Sequence, residues 1–340
     1  MKKHLYRYIL TAFAGTMLFA AAADAQRTVR PTPAPPKPPV SPPKITALGS
    51  VFGSRSAAED SELSIAVAPK TNIKLCIGEA SLKVNGWARS EIRVFVRGGV
   101  KFQFRVLERD KTSDLPSWVW VSRAGNASGS ECISADEIEM DVPIDSVLTI
   151  DGRVTDVVID SITRTEVKIV EGNILMRNIS GGIKATTYQG NLLVENSRGA
   201  VSLESTTGHI AAVGVESGQA GDVFRAKTAS GAITIREAAY RQMEINSISG
   251  SLAYDGKLTP GGMYSFKTSN GSILMTLPED ISARFNASYG FGSFQTAFPI
   301  TITQKTDVPG SRTFVGTFGK GEASVTLQTV RGSIGLAKKE

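Results

Sequence analysis

Gly172-Asn-Ile-Leu-Met-Arg-Asn178 and Gly190-Asn-Leu-Leu-Val-Glu-Asn196 agree in character at almost every position and lie eighteen residues apart. Around them a glycine recurs every nine residues, at Gly172, Gly181, Gly190, Gly199 and Gly208. Each is followed two and four places later by apolar residues: Ile174 and Met176, Ile183 and Ala185, Leu192 and Val194, Val201 and Leu203, Ile210 and Ala212. Alternation of this kind marks a short strand with one face inward, and the glycine marks a corner that needs positive φ or close backbone approach. Nine residues are too few to close a turn of chain around a packed interior, so the unit is two corners and eighteen residues. Residues eighteen apart then stack in successive rungs at ~4.8 Å. Asn173 sits on Asn191, Asn178 on Asn196, and Arg177 beside Glu195. Stacked amides bond along the axis, and an opposite-charge neighbour adds roughly 0.2–1 kcal/mol. Self-similarity at a fixed short period is the mark of a solenoid.

Toward the C-terminus the corners continue at Gly231, Gly250, Gly271 and Gly332 with longer rungs. Three of these are entered by a strand of the form apolar-x-apolar-x-Thr: Phe224 to Thr228, Tyr264 to Thr268 and Val325 to Thr329. The fourth, Met243 to Ser247, has Ser in place of Thr. Between Gly271 and Gly332 the stretch Tyr289 to Phe298 is expected to break the period as an insertion. An antiparallel sandwich also has short strands and Gly turns but predicts no nine- and eighteen-residue phase. A calcium-binding nonapeptide solenoid needs Asp where this chain has Ile174, Ile183, Leu192, Val201 and Ile210, so no metal is expected.

Toward the N-terminus, residues 59–150 read as short strands, among them Leu63 to Val67, Ile92 to Val96, Phe102 to Val106 and Trp118 to Val121. They are either the first turns of the same solenoid or a small β cap over its end, with 151–340 as the repeat domain. Residues 1–25 read as a signal peptide: Lys2, Lys3 and Arg7, an uncharged run from Tyr8, then Ala23-Asp24-Ala25. Residues 26–58 carry Pro31, Pro33, Pro35, Pro36, Pro38, Pro39, Pro42 and Pro43 and read as an extended spacer of ~3.1 Å per residue. No later stretch has spanning length. The formal charge of +6 lies in residues 1–44, from Lys2, Lys3, Arg7, Arg27, Arg30, Lys37 and Lys44 less Asp24, leaving the chain from Ile45 onward neutral. A nucleic-acid groove needs clustered Lys and Arg, so that class is excluded. Cys76 and Cys132 are the only cysteines, and in an exported chain they read as a disulfide.

Val84-Asn-Gly-Trp87 with Glu91-Ile-Arg-Val94, then Val142 to Val147, then Ser230-Gly-Ala-Ile233, Ser249-Gly-Ser-Leu252, Asn270-Gly-Ser-Ile273 and Thr329 to Ile334 follow one another along the chain. In that order they resemble the adhesin-like domains of unknown function found in exported bacterial proteins, over about Asp60 to Leu336. The resemblance implies a right-handed β-helix in the envelope or at the cell surface, and it transfers no catalytic residues.

His209 is the single histidine after the signal segment, and it takes a corner place filled elsewhere by Asn, Ala, Ser or Gly. It reads as a surface residue, since multi-His zinc sites and His-based nucleophilic chemistry have no second member here. Glu195 and Glu204 fall on opposite sides of a rung, and Glu216, Asp222 and Glu237 share no phase, so no catalytic constellation is expected. Two aromatic groups are candidate binding patches. Trp118 and Trp120 alternate onto one strand face, while Tyr289, Phe291, Phe294 and Phe298 crowd beside Gly290 and Gly292. The second group is the favoured site, because departures from a solenoid's period map to loops on one face. The reading is an all-β, single-stranded β-helix, exported to the periplasm or surface. It has no cofactor, is not an enzyme, and binds an envelope polysaccharide or protein. The alternatives are a carbohydrate-active β-helix enzyme and a periplasmic sensor or assembly partner.

Overall fold

Leu192 is the ladder neighbour of Ile174 on one side and of Ile210 on the other, and Glu195 stands likewise between Arg177 and Val213. The eighteen-residue offset read from the repeat is thus the register of a parallel β-solenoid. The structure, a computed structural model, describes residues 59–125 and 131–339, whose regular elements are all strands. The expected signal segment (1–25) and Pro-rich linker (26–58) lie outside the described residues.

Each turn of chain lays down a long strand, a corner and a short strand. The long strands stack as face A: Arg164–Glu171, Ile183–Gln189, Val201–Thr207, Val223–Ser230, Gln242–Ser249 and Met263–Asn270. The short ones stack as face B: Ile174–Arg177, Leu192–Glu195, Ile210–Val213, Ile233–Ala238, Leu252–Gly256 and Ile273–Leu277. A short third side closes the section, with Ile179, Ser197 and Val215 turned inward. Asn72–Trp87 and Val147–Asp160 bend through the corner and serve both faces, so the first rungs lie within residues 59–150.

The corner glycines answer to the rung beneath them. A Cβ on Gly190 would lie 1.9 Å from the carbonyl oxygen of Gly172, and one on Gly231 would lie 2.1 Å from that of Gly208. The Thr of the incoming strand satisfies that carbonyl. Thr228 donates to Gly208 O at 3.1 Å, Thr268 to Gly250 O at 2.9 Å and Thr329 to Gly271 O at 2.8 Å. Ser247 does the same to Gly231 O at 3.2 Å. The apolar-x-apolar-x-Thr pattern therefore pairs a buried backbone acceptor that would otherwise be orphaned.

The expected break between Gly271 and Gly332 is not a break in the stack. Ala283–Phe291 and Phe294–Thr296 form a complete rung with its corner at Gly292, where a Cβ would meet Gly332 O at 2.2 Å. The later strands Ala323–Arg331 and Ile334–Lys338 slot between this rung and the Met263–Asn270 rung. Period reading failed there because rung order in space departs from chain order. The chain goes out to the last rung, makes the hairpin Thr301–Val308 and Ser311–Phe318, and comes back. Ser311–Phe318 runs antiparallel along the outer edge of Ala283–Phe291 and covers it.

The N-terminal end repeats this device. Pro116–Arg123 and Glu137–Pro143 lie outside Asn72–Trp87 as an earlier rung in space, though later in sequence. They are capped in turn by antiparallel Phe102–Arg109 on face A and by Glu91–Gly99 and Glu59–Ala66 on face B. Cys76 and Cys132 form a disulfide with Cα atoms 4.4 Å apart, joining these two rungs at the corner beside the Ile77–Ile133 bridge.

Candidate functional site

Outward positions of face A carry charges that pair up the stack: Lys184 with Glu166 at 2.7 Å, Arg225 with Glu244 at 3.1 Å and Lys227 with Glu204 at 3.1 Å. Exposed pairs of this kind stabilise little individually. Lys168 and Lys267 on the same face have no ion-pair partner among the described residues.

Its N-terminal end is different. Strand alternation in Pro116–Arg123 turns Trp118 and Trp120 to the outside, opposite Asn72 and Lys74 of the next rung. The antiparallel cap sets Arg105 against Trp120 from the other side. Trp120 is therefore clasped between the Lys74 ammonium, 5.3 Å from the ring centre, and the Arg105 guanidinium at 4.9 Å. Glu131 holds that guanidinium at 2.9 Å. Such cation–π contacts fix the ring, each contributing roughly 0.5–1 kcal/mol. The Trp120 indole N–H finds no acceptor among the described residues. Trp118 remains 42% exposed beside it. The pair is an outward aromatic surface, Trp120 fixed and Trp118 exposed, with cations and Asn72 at its margin, suited to stacking on a sugar ring or a flat peptide group.

The second aromatic group is placed otherwise. Tyr289 is in register with Thr329, takes the inward place of the Thr row and is buried. Phe298 is buried against Phe318 at 5.4 Å, and Phe294 stacks on Phe314 at 4.3 Å. These three rings close the end of the core, while Phe291, one residue before the corner, stands 59% exposed. The two aromatic groups are not one patch. Ten ladder steps separate their strands, roughly 48 Å at ~4.8 Å each.

His209 belongs to a polar ladder along the corner. Asn173 N and Nδ2 donate to Asp156 Oδ1 at 2.7 and 3.1 Å, and Asn191 N and Nδ2 to Asn173 Oδ1 at 3.0 and 3.1 Å. His209 N donates to Asn191 Oδ1 at 2.8 Å, and Ala232 N donates to His209 Nδ1 at 3.0 Å. His209 thus serves as a structural acceptor in a row of amides. At the next corner Asn178 and Asn196 hold φ of 55° and 46°, a left-handed conformation that Asn tolerates. Asp160 ends the Asn178 row. Burial works against its charge, but hydrogen bonds from Ser161 and Asn178, with Arg177 nearby, outweigh it and hold the carboxyl below the ordinary range.

A groove of about 620 Å³ runs along the corner over the first rungs, lined by Glu79, Asp136, Asp156, Glu171, Asn173 and Gln189. Sequence reading missed these carboxylates because they sit at corners that precede the glycine repeat, Glu79 standing opposite Val154 and Ser81 opposite Asp156. Asp156 is committed to Asn173. Among the described residues no group of three or more His, Cys, Asp or Glu is placed to hold a metal ion, and no helix is long and apolar enough to cross a membrane.

These features define a class: a single-stranded β-solenoid with two ladder faces and antiparallel caps. Residues 200–337 match the family model described as Toastrack DUF4097. That segment runs from the Val201–Thr207 rung to the last strands of the chain. A solved structure, that of a presumed cell adhesion protein from Clostridium sporogenes ATCC 15579, aligns over 83% of this chain and 100% of its own, with 12% identity and a TM-score of 0.25. Comparison with the curated proteins gives no match.

Proposed function

We propose that this chain is exported to the periplasm or cell surface and works there as a non-catalytic scaffold that binds an envelope polysaccharide or protein. Its N-terminal segment supports export with cleavage before Gln26, and the Pro-rich stretch supports a spacer that holds the solenoid off its attachment. The Cys76–Cys132 disulfide fits an oxidising compartment. The likeness of residues 200–337 to the Toastrack family, together with the adhesin-like motif order, supports a binding role. The observation that carries the reading is Trp118, a large ring 42% exposed on a clamped platform at one capped end.

The test is retention of the exported chain on purified envelope material. Trp118→Ala is expected to lose retention at least about fivefold while its melting temperature shifts by no more than ~2 °C, since a surface ring contributes ~1 kcal/mol or more to a contact and little to folding. Unchanged retention would remove the claim. A second reading, a carbohydrate-active enzyme, is favoured by the carboxylate groove at Glu79 and Asp136. Release of reducing ends from a polysaccharide panel, lost in Glu79→Gln and Asp136→Asn, would establish it instead.

A further inference from the structure

Face B differs from face A in what it shows to solvent. Its middle outward column reads Val158, Leu175, Leu193, Ala211, Thr234, Ala253 and Leu274, one residue per rung in unbroken register. Leu274 is 48% exposed and the others are half-buried. The neighbouring outward column reads Asp160, Arg177, Glu195, Val213, Arg236, Asp255 and Thr276. Arg177 lies 3.6 Å from Asp160, and Lys339 lies 2.8 Å from Asp255. Glu195 and Arg236, two rungs apart, have no ion-pair partner among the described residues.

The signs in this column are antisymmetric about Val213: Glu195 and Arg236 flank it at one distance, Arg177 and Asp255 at the next. Consider two copies face to face, related by a two-fold axis lying between them along the strand direction at the Ala211–Val213 rung. Each column then meets itself with the rungs in reverse order. Glu195 faces Arg236 of the second copy, and Arg177 faces Asp255, each contact occurring twice by symmetry. In the apolar column Leu175 meets Ala253, Leu193 meets Thr234 and Val158 meets Leu274, mostly large against small, with Ala211 on the axis. A slip of one rung is penalised, because it sets Glu195 against Asp255 or Arg177 against Arg236.

We propose that face B is a self-association surface, and that its partner is a second copy of this chain packed antiparallel about the Ala211–Val213 rung. Seven rungs at ~4.8 Å and two columns of roughly 6.7 Å width give on the order of 400 Å² per copy, which places the dimer among weak, reversible associations. The unpaired Glu195 and Arg236 set its register.

Sedimentation of the exported chain from about 5 to about 500 µM tests this. Wild type is expected to dimerise with concentration, and Ala211→Glu, which sets a carboxylate against its own copy, is expected to stay monomeric. Glu195→Arg and Arg236→Glu should each weaken the dimer about tenfold, and the double exchange should restore it to within about threefold. Melting curves matching wild type show that these outward variants fold. A monomer throughout, a dimer indifferent to Ala211→Glu, or a double exchange that fails to restore association would overturn the proposal.

Discussion

At the scale of single residues, the fold rests on a relation between a glycine and a hydroxyl. The corner glycine leaves room for the carbonyl of the rung below, and the Thr or Ser three residues before the next corner satisfies that carbonyl. Gly231→Ala is expected to cost about 2–4 kcal/mol, since its Cβ would meet Gly208 O at 2.1 Å with φ at +148°. Thr228→Val should cost about 1–2 kcal/mol by stranding the same carbonyl. Denaturant melts of both variants check this, and a neutral Gly231→Ala would mean the rungs are not stacked as described. The strand phase has its own test. Ile233 is fully buried and Thr234 points outward on the same strand. Ile233→Asp should destabilise by several kcal/mol, about 4 or more, and Thr234→Asp by ~0.5 kcal/mol or less. Equal shifts for the two would contradict the inward and outward assignment.

At the scale of elements, the interior rungs were legible in the sequence and the ends were not. From Gly172 to Gly271 successive rungs are successive in the chain, so a period in the sequence is a period in space. At the C-terminal end the chain leaps past one rung and returns to fill it, and at the N-terminal end it lays the second rung before the outermost one. Tyr289 to Phe298 therefore looked like an insertion, although Phe285, Ala287 and Tyr289 occupy the inward places that Val325, Leu327 and Thr329 hold in the next strand. The same misreading made Tyr289 and Phe298 look like presented rings. Tyr289→Ala is expected to lower stability by about 2–4 kcal/mol as a core truncation, while Phe291→Ala should stay within ~1 kcal/mol. Comparison of their melting temperatures decides it, and reversed effects would put Tyr289 outside the core. Trp118 and Trp120 were legible because simple alternation places them on one side of a strand. The clasp around Trp120 was not, since Arg105 and Lys74 come from strands on opposite sides of it. The disulfide belongs to this scale too. Closing a loop of 56 residues stabilises by about 4 kcal/mol on the chain-entropy model. Because it joins the outermost N-terminal rung to the next, reduction should raise amide exchange in Pro116–Arg123 and Glu137–Pro143 first, leaving Leu192–Glu195 protected. Uniform loss of protection would mean the end rung is not a separate cooperative layer.

At the scale of the whole molecule, stacked rungs give long, flat, regular surfaces, and function is read from where that regularity is broken. Face A carries three ion pairs up its stack and ends in Trp118 beside the clasped Trp120. Face B carries an apolar column beside charges ordered for a second copy. A protein built this way holds surfaces at fixed spacing. Mass analysis of the exported protein is expected to find it beginning at Gln26, and a full-length cytoplasmic chain would contradict export. The claim that this solenoid binds rather than catalyses is tested most directly by isothermal titration of the exported chain with fractionated envelope polysaccharide and protein. A binding scaffold gives heat that saturates with added ligand and disappears in Trp118→Ala. Sustained thermal power after each injection, the signature of turnover, or saturable heat that Trp118→Ala leaves untouched, would contradict it.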